Sequence, residues 1–155
     1  MRWLALLFWI VVCFAVAALG ARWNVREIPG WYRTLMRPSF APPDRIFGPV
    51  WSLLYLFMAI SAWRIGQEPP SQLRSTALLL FVVQLGLNLA WSWIFFRKHA
   101  LGTALAEILA LWVAIGATTI TFGRLVPWTV WLMAPYWAWV SFASVLNGAF
   151  WKLNR

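Results

Sequence analysis

Acidic residues are nearly missing from this chain: Asp and Glu together number four, against thirteen Lys and Arg. So few carboxylates offer no cluster for a hard metal ion, and no nucleophile with a paired base or glycine-rich phosphate loop stands out either. Cysteine occurs once, as Cys13 in an uncharged stretch. A disulfide within the chain is therefore excluded, and Cys13 reads as a small buried apolar residue. Histidine also occurs once, as His99. It falls in a turn, where a solvated loop residue is the preferred reading over a haem ligand. No metal site is expected. Charge of either sign is scarce, at 11% of residues, which is not the balance of a soluble domain.

What fills the chain is apolar: 63% of residues are hydrophobic and 14 are Trp. The class is integral membrane, with the lipid bilayer as first partner. That many indoles exceed what anchoring a few helices at the interface requires, so some should line an interior. The formal charge of +9 comes from cations scattered in short loops beside apolar runs. They read as membrane-flanking residues, and no nucleic-acid partner is expected.

Five apolar stretches follow, at about 3–21, 45–66, 75–96, 100–123 and 127–151. Each is long enough to cross about 30 Å of hydrocarbon at 1.5 Å per residue. The fold class is an all-α integral membrane protein, a single five-helix transmembrane bundle. The first stretch also fits a signal peptide ending before Arg22, but Trp3, Phe8 and Trp9 favour a retained span. In the third, Gln84, Asn88 and Trp91 share a stripe whose amides need partners in hydrocarbon, so it should face the bundle or a cavity. Plain helix-to-helix hydrogen bonding is the simpler reading of that pair. Gly86 and Ala90 lie nearly opposite, with the spacing of a dimer face. In the fourth, Gly102, Ala106, Ala110, Ala114 and Thr118 suggest a close-packing seam, and Glu107 is the one acid well inside a span. Glu107 is either functional or a protonated, hydrogen-bonded structural group. Pro135 should kink the fifth span beside Tyr136 and Trp139, and Trp139, Ala143 and Leu146 form one face. Nine cations flank one side and four the other, which puts the C-terminus inside and the N-terminus outside in a bacterial inner membrane; an outer membrane stays open.

The segment between the first two spans, residues 22–44, should be an ordered lid. Pro38, Pro42, Pro43 and, just beyond it, Pro49 restrict the backbone. Trp31, Tyr32, Phe40 and Phe47 bring broad rings, and Trp51, Tyr55 and Met58 continue them at i, i+4, i+7 down the next helix. An interfacial aromatic belt is the alternative reading.

These residues together resemble one family. Trp31-Tyr32, Leu35, Arg37-Pro38, Pro42-Pro43, Phe47, Trp51, Leu54-Tyr55 and Met58 resemble the translocator protein family, also called tryptophan-rich sensory proteins or peripheral-type benzodiazepine receptors (TspO). So do Gln84, Asn88, Trp91, Phe95-Phe96, Glu107, Trp112, Pro135-Tyr136, Trp139 and Leu146-Asn147, in order across nearly the whole chain. The resemblance implies a five-helix bundle, commonly a homodimer, here with Gly86 and Ala90 as the candidate face. It implies a cavity that binds protoporphyrin IX, haem and other flat hydrophobic ligands, with no covalently held cofactor. The ligand-binding positions it implies are Tyr32, Trp51, Tyr55, Asn88, Trp91, Trp139, Ala143 and Leu146, with Trp31 and Phe47 at the rim. Porphyrin propionates would seek Arg33, Arg37 or Arg45. Two positions depart from the pattern: Gly148 stands where animal members carry a cholesterol-motif Tyr, so cholesterol binding is not carried over, and Phe40 is often Trp in bacterial relatives. A sensor or transporter-like binding protein is the first functional reading. A light- and oxygen-dependent porphyrin-degrading enzyme using Trp51 and Trp139 is the alternative.

Overall fold

Residues from Trp3 to Ala21 include no proline or charge, and the computed structural model, which describes residues 1–155, carries α1 over Arg2–Glu27. Four more helices follow: α2 (Phe47–Gly66), α3 (Gln72–Ser92), α4 (Leu101–Leu125) and α5 (Thr129–Leu153). All five are long and apolar enough to cross a membrane. Many large apolar side chains face outward, among them Leu4, Leu53, Leu79, Val113, Ile120 and Val145. A surface that apolar is suited to acyl chains, not water.

The helix ends follow local chemistry. Pro69 and Pro70 close off the second connection, and the Ser71 hydroxyl then caps α3 by accepting from the Arg74 amide at 3.1 Å. At the far end α3 loosens into a π-helical turn over Trp93–Arg97. His99 reverses the chain there with φ of 55°, a left-handed conformation. Pro135 sits inside α5 without ending it.

The helices close into a ring in which α1 packs on α2, α2 on α5, α5 on α4, α4 on α3, and α3 back on α1. Packing of this kind in lipid rests on van der Waals fit and buried hydrogen bonds, because lipid tails are as apolar as the side chains they would replace. Between α4 and α5 the fit is made by glycines lying under indoles. A Cβ on Gly116 would meet Cζ2 of Trp137 at 2.7 Å, and one on Gly102 would meet Nε1 of Trp151 at 2.9 Å. The expected single seam from Gly102 to Thr118 is not one seam. Four residues turn a helix by about 400°, so a row at that spacing drifts about 40° per step; Ala106 and Ala110 are exposed while Thr118 is buried.

Polar residues in the interior are bonded in a chain. The Tyr55 hydroxyl donates to Asn88 Oδ1 at 2.7 Å, Asn88 Nδ2 donates to the Tyr136 hydroxyl at 2.9 Å, and that hydroxyl donates to Gln84 Oε1 at 2.7 Å. One relay thus ties α2, α3 and α5, and it supplies the partners that Gln84 and Asn88 need away from water.

The connection from α1 to α2 is shorter than the expected lid of residues 22–44. Nothing in Ala21–Glu27 breaks a helix, so α1 runs on through Arg22 and Arg26, and only Pro29-Gly30 disturbs it. Ile28–Tyr32 form a π-helical turn whose Gly30 has φ −105° and ψ −107°. The non-helical lid proper lies between this turn and a short 3-10 turn at Asp44–Ile46.

Candidate ligand-binding cavity

Beneath that lid is a cavity of about 60 Å³. Its walls come from separate helices: Trp51 from α2, Trp91 from α3, and Trp139, Ala143 and Leu146 from α5, with Tyr32 and Phe47 closing it from the lid side. Spacing explains the α5 contribution, since i, i+4 and i+7 fall on one helical face. Seven of the ten positions expected for ligand contact are thereby brought together. The rings meet at angles: Phe47 lies edge-on to Trp139 with centroids 5.9 Å apart, and Tyr32 packs against Phe96 and Phe150 at 5.8 and 5.4 Å.

Three expected positions stand elsewhere. Tyr55 and Asn88 lie one layer behind the wall, where each satisfies the other's polar group in the relay; the Trp51 ring, 5.8 Å from that of Tyr55, stands in front. Trp31 stacks on His99 at 4.0 Å with the rings 9° from parallel and meets Phe95 edge-on. His99 is exposed in a turn, as expected, but its ring is engaged there. Its Nε2 also lies 2.9 Å from Glu27 Oε2, so it fastens the end of α1 to the turn before α4.

Sequence reasoning did not single out several wall residues. Asn24, Ile28 and Asp44 also line the cavity; Asn24 belongs to the unexpected extension of α1 and Ile28 to the π-helical turn that follows it, so only recognition of that continuation would have found them. Asn147 and Phe150 were within reach, because they lie about two and three turns past Trp139 on the same face. Asn147 accepts from Trp91 Nε1 at 3.0 Å and donates to the Leu101 carbonyl at 2.9 Å, fixing the Trp91 indole.

Two polar atoms on residues lining the cavity are buried without a hydrogen-bond partner: Asn24 Oδ1 and Trp139 Nε1. Elsewhere, both carboxyl oxygens of Glu107 are also buried and unpartnered, so the hydrogen-bonded structural role is not what the geometry displays.

The lid is fastened at several points. Arg37 Nη1 pairs with Asp44 Oδ1 at 2.9 Å, its Nη2 donates to the Pro42 carbonyl at 3.0 Å, and the guanidinium lies over the Tyr32 ring at 5.4 Å. Arg37 is thus engaged within the lid. Arg33 and Arg45 are exposed and form no ion pair. From the other end of the chain, Asn154 grips Met36 by two hydrogen bonds.

The fold and cavity define a class: a five-span membrane protein with an aromatic chamber between its helices and a latched loop over the mouth. Comparison with known proteins narrows this. The TspO/MBR family model matches residues 9–152, and the chain belongs to that family. It is 36% identical over 152 residues to a tryptophan-rich protein TspO of Chlorobaculum tepidum, covering 97% of this chain and 96% of that one. It is 37% identical over 149 residues to protein CrtK of Rhodobacter capsulatus, covering 94% and 90%. The human translocator protein is 35% identical over 139 residues, covering 88% of this chain and 82% of its own.

Proposed function

We propose that this protein binds porphyrins, such as protoporphyrin IX or haem, and other flat hydrophobic molecules in the cavity beneath the lid, as a membrane sensor or transporter-like protein. The observation that carries this reading is the convergence of Trp51, Trp91 and Trp139 from three helices on one cavity. Indole and phenol faces offer a flat π-system offset-stacked and edge-on contacts. Arg33 and Arg45 stand beside the lid with uncommitted guanidinium groups, suited to propionates at the membrane surface. Ligand sites usually measure about 300–1,000 Å³, so the cavity of about 60 Å³ has to widen. Release of the Asn154 and Arg37 fastenings is the movement that widens it.

The cation distribution further supports a bacterial inner membrane with the lid and C-terminus inside. A homodimer through the outward face of Gly86 and Ala90 fits the open space around Gly86, where an added Cβ would meet nothing within 4 Å. No observation favours the light-dependent enzyme.

Titration of purified protein with protoporphyrin IX in the dark, followed by Trp fluorescence, tests the binding. Saturable quenching at micromolar ligand is expected, altered in Trp51→Phe and Trp139→Phe. Absence of saturation, or identical curves in both variants, overturns the reading.

A further inference from the structure

We propose that a second hollow, at the opposite end of the bundle from the cavity, binds the headgroup of a zwitterionic phospholipid, with the phosphate at Arg2 and the ammonium against Trp3 and Glu68. The inference is independent of what the cavity holds.

The start of α1 and the end of α2 meet at this hollow. Trp63 Nε1 donates to the Arg2 carbonyl at 2.9 Å, and the Trp3 and Trp63 rings stack with centroids 6.4 Å apart and planes 14° from parallel. Arg64 Nη1 pairs with Glu68 Oε1 at 2.6 Å, and Arg74 Nη1 donates to the Glu68 carbonyl at 3.0 Å, so the turn after α2 is held in place. The hollow beside these contacts measures about 540 Å³ and is lined by Arg2, Trp3, Trp63, Arg64, Gln67 and Glu68. Ligand sites span about 300–1,000 Å³, so this one has room without any movement of the chain.

Its charges limit the guest. Arg64 and Glu68 are engaged with each other, and Arg2 forms no ion pair. The hollow thus presents two guanidinium groups and one carboxylate. A simple anion gains from Arg2 but meets Glu68 as a like charge, and a simple cation meets both guanidinium groups. A guest that carries both signs on a short link escapes this conflict: its phosphate takes the uncommitted fork of Arg2, and its ammonium takes the exposed Trp3 ring and the Glu68 side. Position selects the source of such a guest. The hollow lies at the ends of two spans, at the depth of lipid headgroups, where indoles commonly sit. Leu4 and Leu7, next along α1, are exposed to acyl chains. Phosphatidylethanolamine brings phosphate, ammonium and chains to these places together.

Native mass spectrometry of the full-length protein in detergent micelles tests this by comparing retention of phosphatidylethanolamine with that of phosphatidylglycerol. With the same acyl chains, the second lipid keeps the phosphodiester and lacks the ammonium. Wild type should favour phosphatidylethanolamine about three- to tenfold. Arg2→Gln should weaken both lipids by a similar factor, and Glu68→Gln and Trp3→Leu should each lower the ratio towards one. Arg2 and Trp3 are exposed, so replacing them spares the bundle. A wild-type ratio near one signifies an unselective lipid annulus and overturns the inference without any variant. It is overturned equally by a preference that persists in full in Glu68→Gln or Trp3→Leu, or by lipid retention that Arg2→Gln leaves unchanged. Glycerophosphoethanolamine, the headgroup without its chains, should displace no lipid at equal concentration. Displacement would assign the hollow to a free zwitterion and overturn the choice of a lipid.

Discussion

Asn154 holds Met36 across the length of the chain. The Met36 amide donates to Asn154 Oδ1 at 2.8 Å, and Asn154 Nδ2 donates to the Met36 carbonyl at 3.0 Å, so one terminal side chain occupies both backbone groups of a lid residue as a neighbouring strand would. The same Nδ2 lies 2.9 Å from the Phe150 carbonyl, which anchors it to α5. The lid is therefore clasped to the helix that carries Trp139.

Asn154→Ala should loosen the lid and leave the bundle standing. Losing the two-point grip at an exposed site is worth about 1–2 kcal/mol, roughly a factor of 5–30 in local opening. Hydrogen exchange at Met36 and its neighbours reads this directly. Exchange should rise there with little change in α3 and α4, and unchanged exchange would show that the other fastenings suffice.

Removing the Tyr136 hydroxyl breaks the relay at its centre. Tyr136→Phe leaves Asn88 Nδ2 and Gln84 Oε1 without their partner in the interior, a loss of about 1–3 kcal/mol. Thermal unfolding in detergent, taken through a double-mutant cycle with Asn88→Leu, should give a sum that is less than additive. Strict additivity would mean that the two groups do not depend on each other.

Two glycines should respond in opposite ways. Gly116→Ala drives a methyl group into the Trp137 indole and should cost about 1–3 kcal/mol by overpacking. Gly86→Ala meets open space and should stabilise the isolated bundle by up to about 1 kcal/mol through helix propensity. Melting curves of the two variants decide it. A bulkier Gly86→Leu should also remove any dimer that uses this face, seen as a change in detergent-corrected mass.

Glu107 offers a test in the direction of gain. Its two oxygens are buried without partners, so Glu107→Leu, which fills similar space with apolar atoms, should be neutral or raise the melting temperature. A marked loss of stability would mean that the carboxyl meets a partner outside the single chain, on a second subunit or a lipid.

Much of this architecture could be read in advance because the bilayer leaves few choices. A hydrocarbon solvent requires every backbone group to be bonded within its own helix, so apolar runs of the right length become spans. The same argument assigns Gln84 and Asn88 to the interior from their residue type and spacing alone. What it could not distinguish was a polar group facing a ligand from one facing a neighbouring helix, since both look alike from a single strip of sequence. Asn88 and Tyr55 illustrate that limit: they share a face with Trp51 and Trp91, yet bond each other behind the indoles. His99 illustrates another, because its partners Glu27 and Trp31 lie about seventy residues away and no local pattern connects them.

The sequence by itself determined the solvent, the number of spans and the family, because those follow from the spacing and type of residues along one dimension. Only the tertiary structure decided how far α1 runs, which rings form the wall, which polar atoms are left unmet and how the lid is fastened. Each of these depends on groups distant in sequence competing for the same few ångströms, and that competition is settled only when the helices pack.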